Sequence, residues 1–247
     1  MIFMPDTPQS KGLPSIEATS KIKKYTGKEI IVEESTKGYK YYFFKYVLFN
    51  KWIWIIASAN FFIYVLRNGI SDWMLKFLSD EHDFKLKQEG KWIWSLYEWG
   101  AIPGTIIIGF TANRYFKGKL TPLMIVAILI TICAIVGIWL APYKNISILA
   151  AMFAIAGFFI YGPVAFIGMQ AMDFSHKKVV GTAAGLTGIF GYLGDTIGSK
   201  IIIGYGTNNI GNNYNATFIF LIICGISACL LLAFVWGKSY TLYKTNK

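Results

Sequence analysis

The sequence predicts an all-α membrane protein with six transmembrane helices, and three observations carry the prediction. The 247 residues are 55% hydrophobic and 17% aromatic but only 15% charged, whereas soluble domains carry about 25% charged residues. Several runs approach or exceed the ~20 apolar residues that a helix needs to cross a bilayer. The basic residues are also shared unequally between alternate connecting segments, as membrane topology requires.

The chain opens on a polar, lysine-rich segment, residues 1–51, with Pro5, Pro8 and Pro14 among Ser and Thr. It reads as a cytoplasmic linker or tail, not a folded domain. Six predicted spans follow at 52–77, 92–112, 122–141, 146–172, 179–204 and 216–237, making 52–237 one six-helix unit, and 238–247 forms a second cytoplasmic tail. An even number of crossings puts both termini on one side. With both in the cytoplasm, 17 of the 24 Lys and Arg fall in inside segments and 5 outside. The net charge of +11 is therefore topological and faces acidic lipid headgroups; no nucleic-acid surface is implied. No signal peptide precedes the first span, which must itself direct insertion.

In the first span, Trp52 to Leu66 gives 15 residues without formal charge, and then comes Arg67. An arginine near the bilayer centre costs about 2.5–3.5 kcal/mol on insertion scales. It is kept either as a packing partner for a carboxylate or as an anion-binding group beside a cavity. Asn60, Tyr64, Arg67 and Ser71 recur at helical spacing and form one polar stripe. Asp72 is rotated away from Arg67 and either meets a cation on another helix or nears the outer interface.

The second span carries Glu98 about one and a half turns from its start, and Pro103-Gly104 is expected to break the helix. Gly162-Pro163 is expected to break the fourth span, with Tyr161 beside it turned toward a central cavity. The fifth span holds Gly181, Gly185, Gly188, Gly191, Gly194 and Gly198, of which Gly181/Gly185 and Gly194/Gly198 fit the small-xxx-small packing pattern. Tyr192, Asp195 and Ser199 form a stripe there, and Lys200 is expected to snorkel to the interface.

Enzyme constellations are absent from the sequence. His82 and His176 are assigned to loops on opposite sides, so they share no metal, and the glycine runs lie inside hydrophobic helices. Cys133, Cys224 and Cys229 fall in spans without metal or disulfide spacing. No cofactor is expected.

Several motifs resemble those of the organophosphate:phosphate antiporters of the major facilitator superfamily. They are Asp6-Thr-Pro-Gln-Ser-Lys-Gly-Leu-Pro-Ser-Ile-Glu17, Tyr46-Val-Leu-Phe-Asn-Lys51, Tyr64-Val-Leu-Arg-Asn-Gly-Ile-Ser-Asp-Trp73, Tyr97-Glu-Trp-Gly-Ala-Ile-Pro-Gly-Thr105, Tyr161-Gly-Pro163, Lys177-Lys-Val-Val-Gly-Thr-Ala-Ala-Gly185 and Thr187-Gly-Ile-Phe-Gly-Tyr-Leu-Gly194. The likeness is to the C-terminal half of such an antiporter, and Ala184 and Thr187 look like its glycerol-3-phosphate branch.

The resemblance implies one half of a major-facilitator-type bundle in a bacterial inner membrane, exchanging an organic phosphate for inorganic phosphate by alternating access. It implies that Arg67 binds substrate, with Tyr64, Tyr161 and Tyr192 near the phosphate cavity, and that Asp72 and Glu98 serve as ion-pair residues. Asp195, a further gating candidate, replaces an expected glycine, and Asn113 stands where the superfamily loop motif often has aspartate. The N-terminal half and its partner arginine do not occur in this sequence. A half-carrier then needs a separately encoded N-terminal half or a second copy of itself. A transporter-like sugar-phosphate sensor and an inactive fragment of a split gene are the alternatives.

Overall fold

The computed structural model describes residues 38–82, 90–116, 120–143, 145–204 and 214–236, apart from the Lys177 side chain. The chain divides into two compact units, Met1–Tyr42 and Phe43–Lys247. Helix α1 (Tyr39–Phe43) begins one residue after Gly38 and ends on the first residue of the second unit. A turn of π-helix, Phe44–Leu48, follows in the second. Residues 39–48 are thus helical although the sequence assigns them to the polar segment.

The second unit contains α2 (Lys51–His82), α3 (Lys91–Tyr115), α4 (Thr121–Trp139), α5 (Ile146–Asp173), a 3-10 turn (Lys177–Val179), α6 (Val180–Gly194), a π-helix (Asp195–Ile203) and α7 (Tyr214–Val235). Local signals set their starts. The Asn50 side chain accepts from the backbone N–H of Trp52 at 3.1 Å and donates to the Phe174 carbonyl at 2.8 Å, fixing α2 to the end of α5. Asn145 caps α5 by accepting from Ile148 N at 3.2 Å. Pro122 occupies the first turn of α4, where a missing N–H leaves no unmade bond.

Four of these helices are long and apolar enough to cross a membrane by length and composition: α2, α4, α5 and α7. The other two predicted spans fall short for different reasons. In α3, Glu98 and a run of Trp, Tyr, Ser and Gly dilute the apolar content. The fifth rod changes from α to π winding at Asp195, so α6 alone has 15 residues and the rod reaches crossing length only with the π-helix that continues it.

Helix α2 is the central element. It packs on α5, α6, α7 and the π-helix, and Ile53, Ile56, Ile63 and Leu66 lose all solvent contact there. Helices α3 and α5 meet backbone to backbone, because any Cβ on Gly104 would collide with the Phe158 main chain and any on Gly157 with that of Tyr97. Neither proline interrupts its helix: α3 runs through Pro103 and α5 through Pro163. Both expected breaks are therefore absent, and Gly104 and Gly157 serve close helix approach. An apolar surround favours this outcome, since a broken helix would leave backbone groups unbonded in hydrocarbon.

His82 also departs from expectation. It belongs to the last turn of α2 and is buried, because the helix continues beyond the apolar run from which its end was inferred.

Candidate functional site

Arg67 lies midway along α2 and is half-buried. Its guanidinium carbon stands 4.9 Å from the ring centre of Tyr161, contributed by α5, and 5.9 Å from that of Tyr64, one turn earlier on α2. Both distances are within reach of cation–π attraction. Tyr97 of α3 is fully buried and donates its hydroxyl to the Arg67 backbone carbonyl at 3.0 Å. Its ring packs 6.0 Å from that of Tyr161. Three helices therefore fix the arginine.

A carboxylate stands close by without pairing to it. Glu98 accepts from the Tyr161 hydroxyl at 2.5 Å and from the Ser71 hydroxyl at 3.3 Å. Among the described residues no carboxylate lies within 4.0 Å of the Arg67 guanidinium, and its Nε is buried with no hydrogen-bond partner. The Nε donor is therefore left for an acceptor, and a planar fork suits a phosphate's paired oxygens.

Both ends of the predicted polar stripe bond to neighbouring helices. The Asn60 amide donates to the Thr187 carbonyl at 2.8 Å and ties α2 to α6. Ser71 serves Glu98. Tyr192 comes within 5.8 Å of Tyr64, ring centre to ring centre, and is 67% exposed.

The remaining candidates form a second cluster. The Ser199 hydroxyl donates to Asp72 at 3.3 Å, and the Trp73 indole donates to the Ser199 carbonyl at 3.0 Å. Asp195 is buried, and one of its oxygens accepts from Lys200 at 2.8 Å while the other has no partner. Lys200 bonds to Asp195 while its side chain stays 60% exposed. Five residues along an α-helix place side chains about 140° apart, and the wider π winding from Asp195 brings Lys200 round toward it. The predicted stripe divides: Tyr192 is exposed, whereas Asp195 and Ser199 are buried.

Tyr97 escaped the sequence reading as a site residue. Its adjacency to Glu98 was visible, but adjacent residues on a helix point about 100° apart, and only the packing of α3 on α5 shows where its hydroxyl reaches.

Apolar helices of membrane length around an arginine with no carboxylate partner among the described residues suit a solute carrier, and the chain belongs to one such group. Its sequence matches the Major Facilitator Superfamily over residues 1–199. It is 39% identical over 238 residues to the glycerol-3-phosphate transporter of Bacillus subtilis (strain 168), covering 96% of this chain and 52% of that protein. The glycerol-3-phosphate transporter of Haemophilus influenzae is 37% identical over 242 residues, covering 92% of this chain and 50% of the relative. A Chlamydia trachomatis serovar D protein named "Probable hexose phosphate transport protein" is 34% identical over 244 residues, 95% of this chain and 52% of its own length. The chain spans about half the length of these relatives, which fits the C-terminal half that its motifs resemble.

Proposed function

We propose that this chain supplies half of the substrate cavity of a carrier that exchanges an organic phosphate, glycerol-3-phosphate first among candidates, for inorganic phosphate. The observation that carries the reading is the Arg67 guanidinium, held between two phenol rings without a carboxylate partner and with an unbonded Nε. In this reading the fork binds two phosphate oxygens, while Tyr64, Tyr161 and Tyr192 line the same side of the cavity. The chain crosses the bacterial inner membrane six times with both termini in the cytoplasm. A separately encoded N-terminal half, or a second copy in parallel, supplies the facing wall and a second cation.

Electrostatics then gives obligatory exchange. A bound anion compensates the facing cations and lets the two halves rock; an empty cavity with uncompensated charge reorients poorly. Asp72, Glu98 and Asp195 are the gating acids. Glu98 is poised for that work, since its hydrogen bond to Tyr161 keeps it one side chain away from Arg67.

The test is phosphate exchange in proteoliposomes, with and without a co-expressed N-terminal half, comparing wild type with Arg67→Lys. Lysine keeps the charge and loses the fork, so exchange falls about ten- to a hundredfold, the worth of a charge-assisted hydrogen bond. Undiminished exchange by Arg67→Lys removes Arg67 from the binding role. Phosphate-ester binding without any exchange points to a sensor instead.

A further inference from the structure

Helix α3 is seated chiefly by α5 and meets α2 far less. Hydrogen bonds join α3 to α2 where the two do meet. The Tyr97 hydroxyl donates to the Arg67 carbonyl at 3.0 Å, and the Ser71 hydroxyl donates to Glu98 at 3.3 Å. Arg67 and Ser71 stand one turn apart on α2, whereas Tyr97 and Glu98 are neighbours on α3. Adjacent side chains on a helix diverge by about 100°. Tyr97 and Glu98 therefore hold α2 by two diverging arms, which fixes the rotation of α3 against it.

Tyr97 is also the point where three helices join. It is fully buried. Its main chain abuts Gly157 of α5, and its ring packs 6.0 Å from that of Tyr161, one turn further along α5. The Tyr161 hydroxyl in turn donates to Glu98.

The carbonyl that Tyr97 reaches lies inside a continuous α-helix, where the Ser71 N–H is its ordinary donor. A carbonyl has two lone pairs, so the phenol fills the one that the helix leaves spare. The backbone of α2 does not need this bond. Packing asks only for the ring. What the hydroxyl adds is a tie between the residue that bears the guanidinium and the helix that bears Glu98.

We propose that Tyr97 is a positioning residue for the anion site, holding α3 at the rotation that keeps Glu98 on Tyr161 and Ser71 and off Arg67. This rests on the reading of Arg67 as the phosphate-binding group. Tyr97 acts through the Arg67 main chain and through its own neighbour, Glu98. Without the hydroxyl, α3 is less constrained about its axis. The Glu98 carboxylate then comes within reach of the guanidinium and competes with the anion.

The experiment uses the full chain with a co-expressed N-terminal half in proteoliposomes. It reads KM and kcat of phosphate exchange separately, with Tm in detergent. Tyr97→Phe keeps the ring and leaves no buried group unpaired. It should raise the KM for inorganic phosphate about two- to tenfold, at most the worth of the lost bond, with kcat little changed. Thr131→Val is the matched control. It removes another buried hydroxyl that donates to a main-chain carbonyl, Ala127 at 2.9 Å on α4, away from the site. Its Tm should fall about as far as that of Tyr97→Phe, and its KM should stay that of wild type. In a Glu98→Gln chain, Tyr97→Phe should lose most of its effect on KM, because a neutral amide does not compete for the cation.

An unchanged KM for Tyr97→Phe overturns the proposal. So does an equal rise for Thr131→Val, or an undiminished rise in the Glu98→Gln chain. Arg67→Lys tells this failure from that of the underlying reading. If Arg67→Lys loses exchange while Tyr97→Phe keeps its KM, only the positioning role falls. If Arg67→Lys exchanges as wild type does, the phosphate reading falls and takes the positioning role with it. Should wild type not exchange, the Kd for inorganic phosphate replaces KM throughout, and no binding by wild type removes both.

Discussion

Arg67 is held at membrane depth by rings that do not neutralise it. Placing a guanidinium there costs about 2.5–3.5 kcal/mol on insertion scales. The Tyr64 and Tyr161 rings each offset about 0.5–2 kcal/mol of that, and the Nε donor stays unbonded. Tyr161 also donates to Glu98, which keeps a nearby carboxylate occupied. Tyr161→Phe keeps the ring and removes the donor, so Glu98 is freed to compete for Arg67. On the proposed function, phosphate affinity should fall about tenfold, the order of a lost charge-assisted bond, and Glu98→Gln in the same chain should restore much of it. A double-mutant cycle on the exchange KM measures this, and a double variant no better than Tyr161→Phe alone rules out the competition.

At the scale of elements, glycines divide into those in contact and those that face open space. Gly104, Gly157 and Gly194 each abut the main chain of a neighbouring helix, so a methyl group has nowhere to go. Gly104→Ala should therefore force α3 from α5, costing about 1–3 kcal/mol or more. A lower Tm and reduced yield of folded protein in detergent would register it. Gly181, Gly185 and Gly188 have nothing within 4 Å of an added Cβ. Gly185→Ala should leave the Tm of the isolated chain within a degree or two or raise it slightly, since alanine favours helix. Comparable losses for both variants would mean that the glycines act through chain flexibility and not through contact.

For the whole molecule, orientation is the question that the positive-inside pattern poses most directly. Tyr143 lies between α4 and α5 and is 65% exposed; His176 lies between α5 and α6. With Cys133, Cys224 and Cys229 replaced, Tyr143→Cys should react with a membrane-impermeant maleimide added to intact cells. His176→Cys should react only after permeabilisation. The reverse pattern inverts the topology and places both termini outside.

The sequence by itself determined the class of protein and the order of its helices, and it singled out Arg67 as the charge to explain. A long apolar run, a basic bias and a charge in hydrocarbon are one-dimensional signals with large energies. Motifs such as Tyr64-Val-Leu-Arg67 and Tyr161-Gly-Pro163 also carried the family. Tertiary structure alone decided which groups meet. It placed Tyr161 between Arg67 and Glu98, turned Tyr97 to the Arg67 carbonyl, and carried α3 and α5 through their prolines. It also brought Lys200 onto Asp195 by changing the winding of one helix. Those outcomes depend on how close two helices come and on the pitch of a few residues. Glycine contacts and backbone bonding across the bundle fix both, and neither is written in any single stretch of chain.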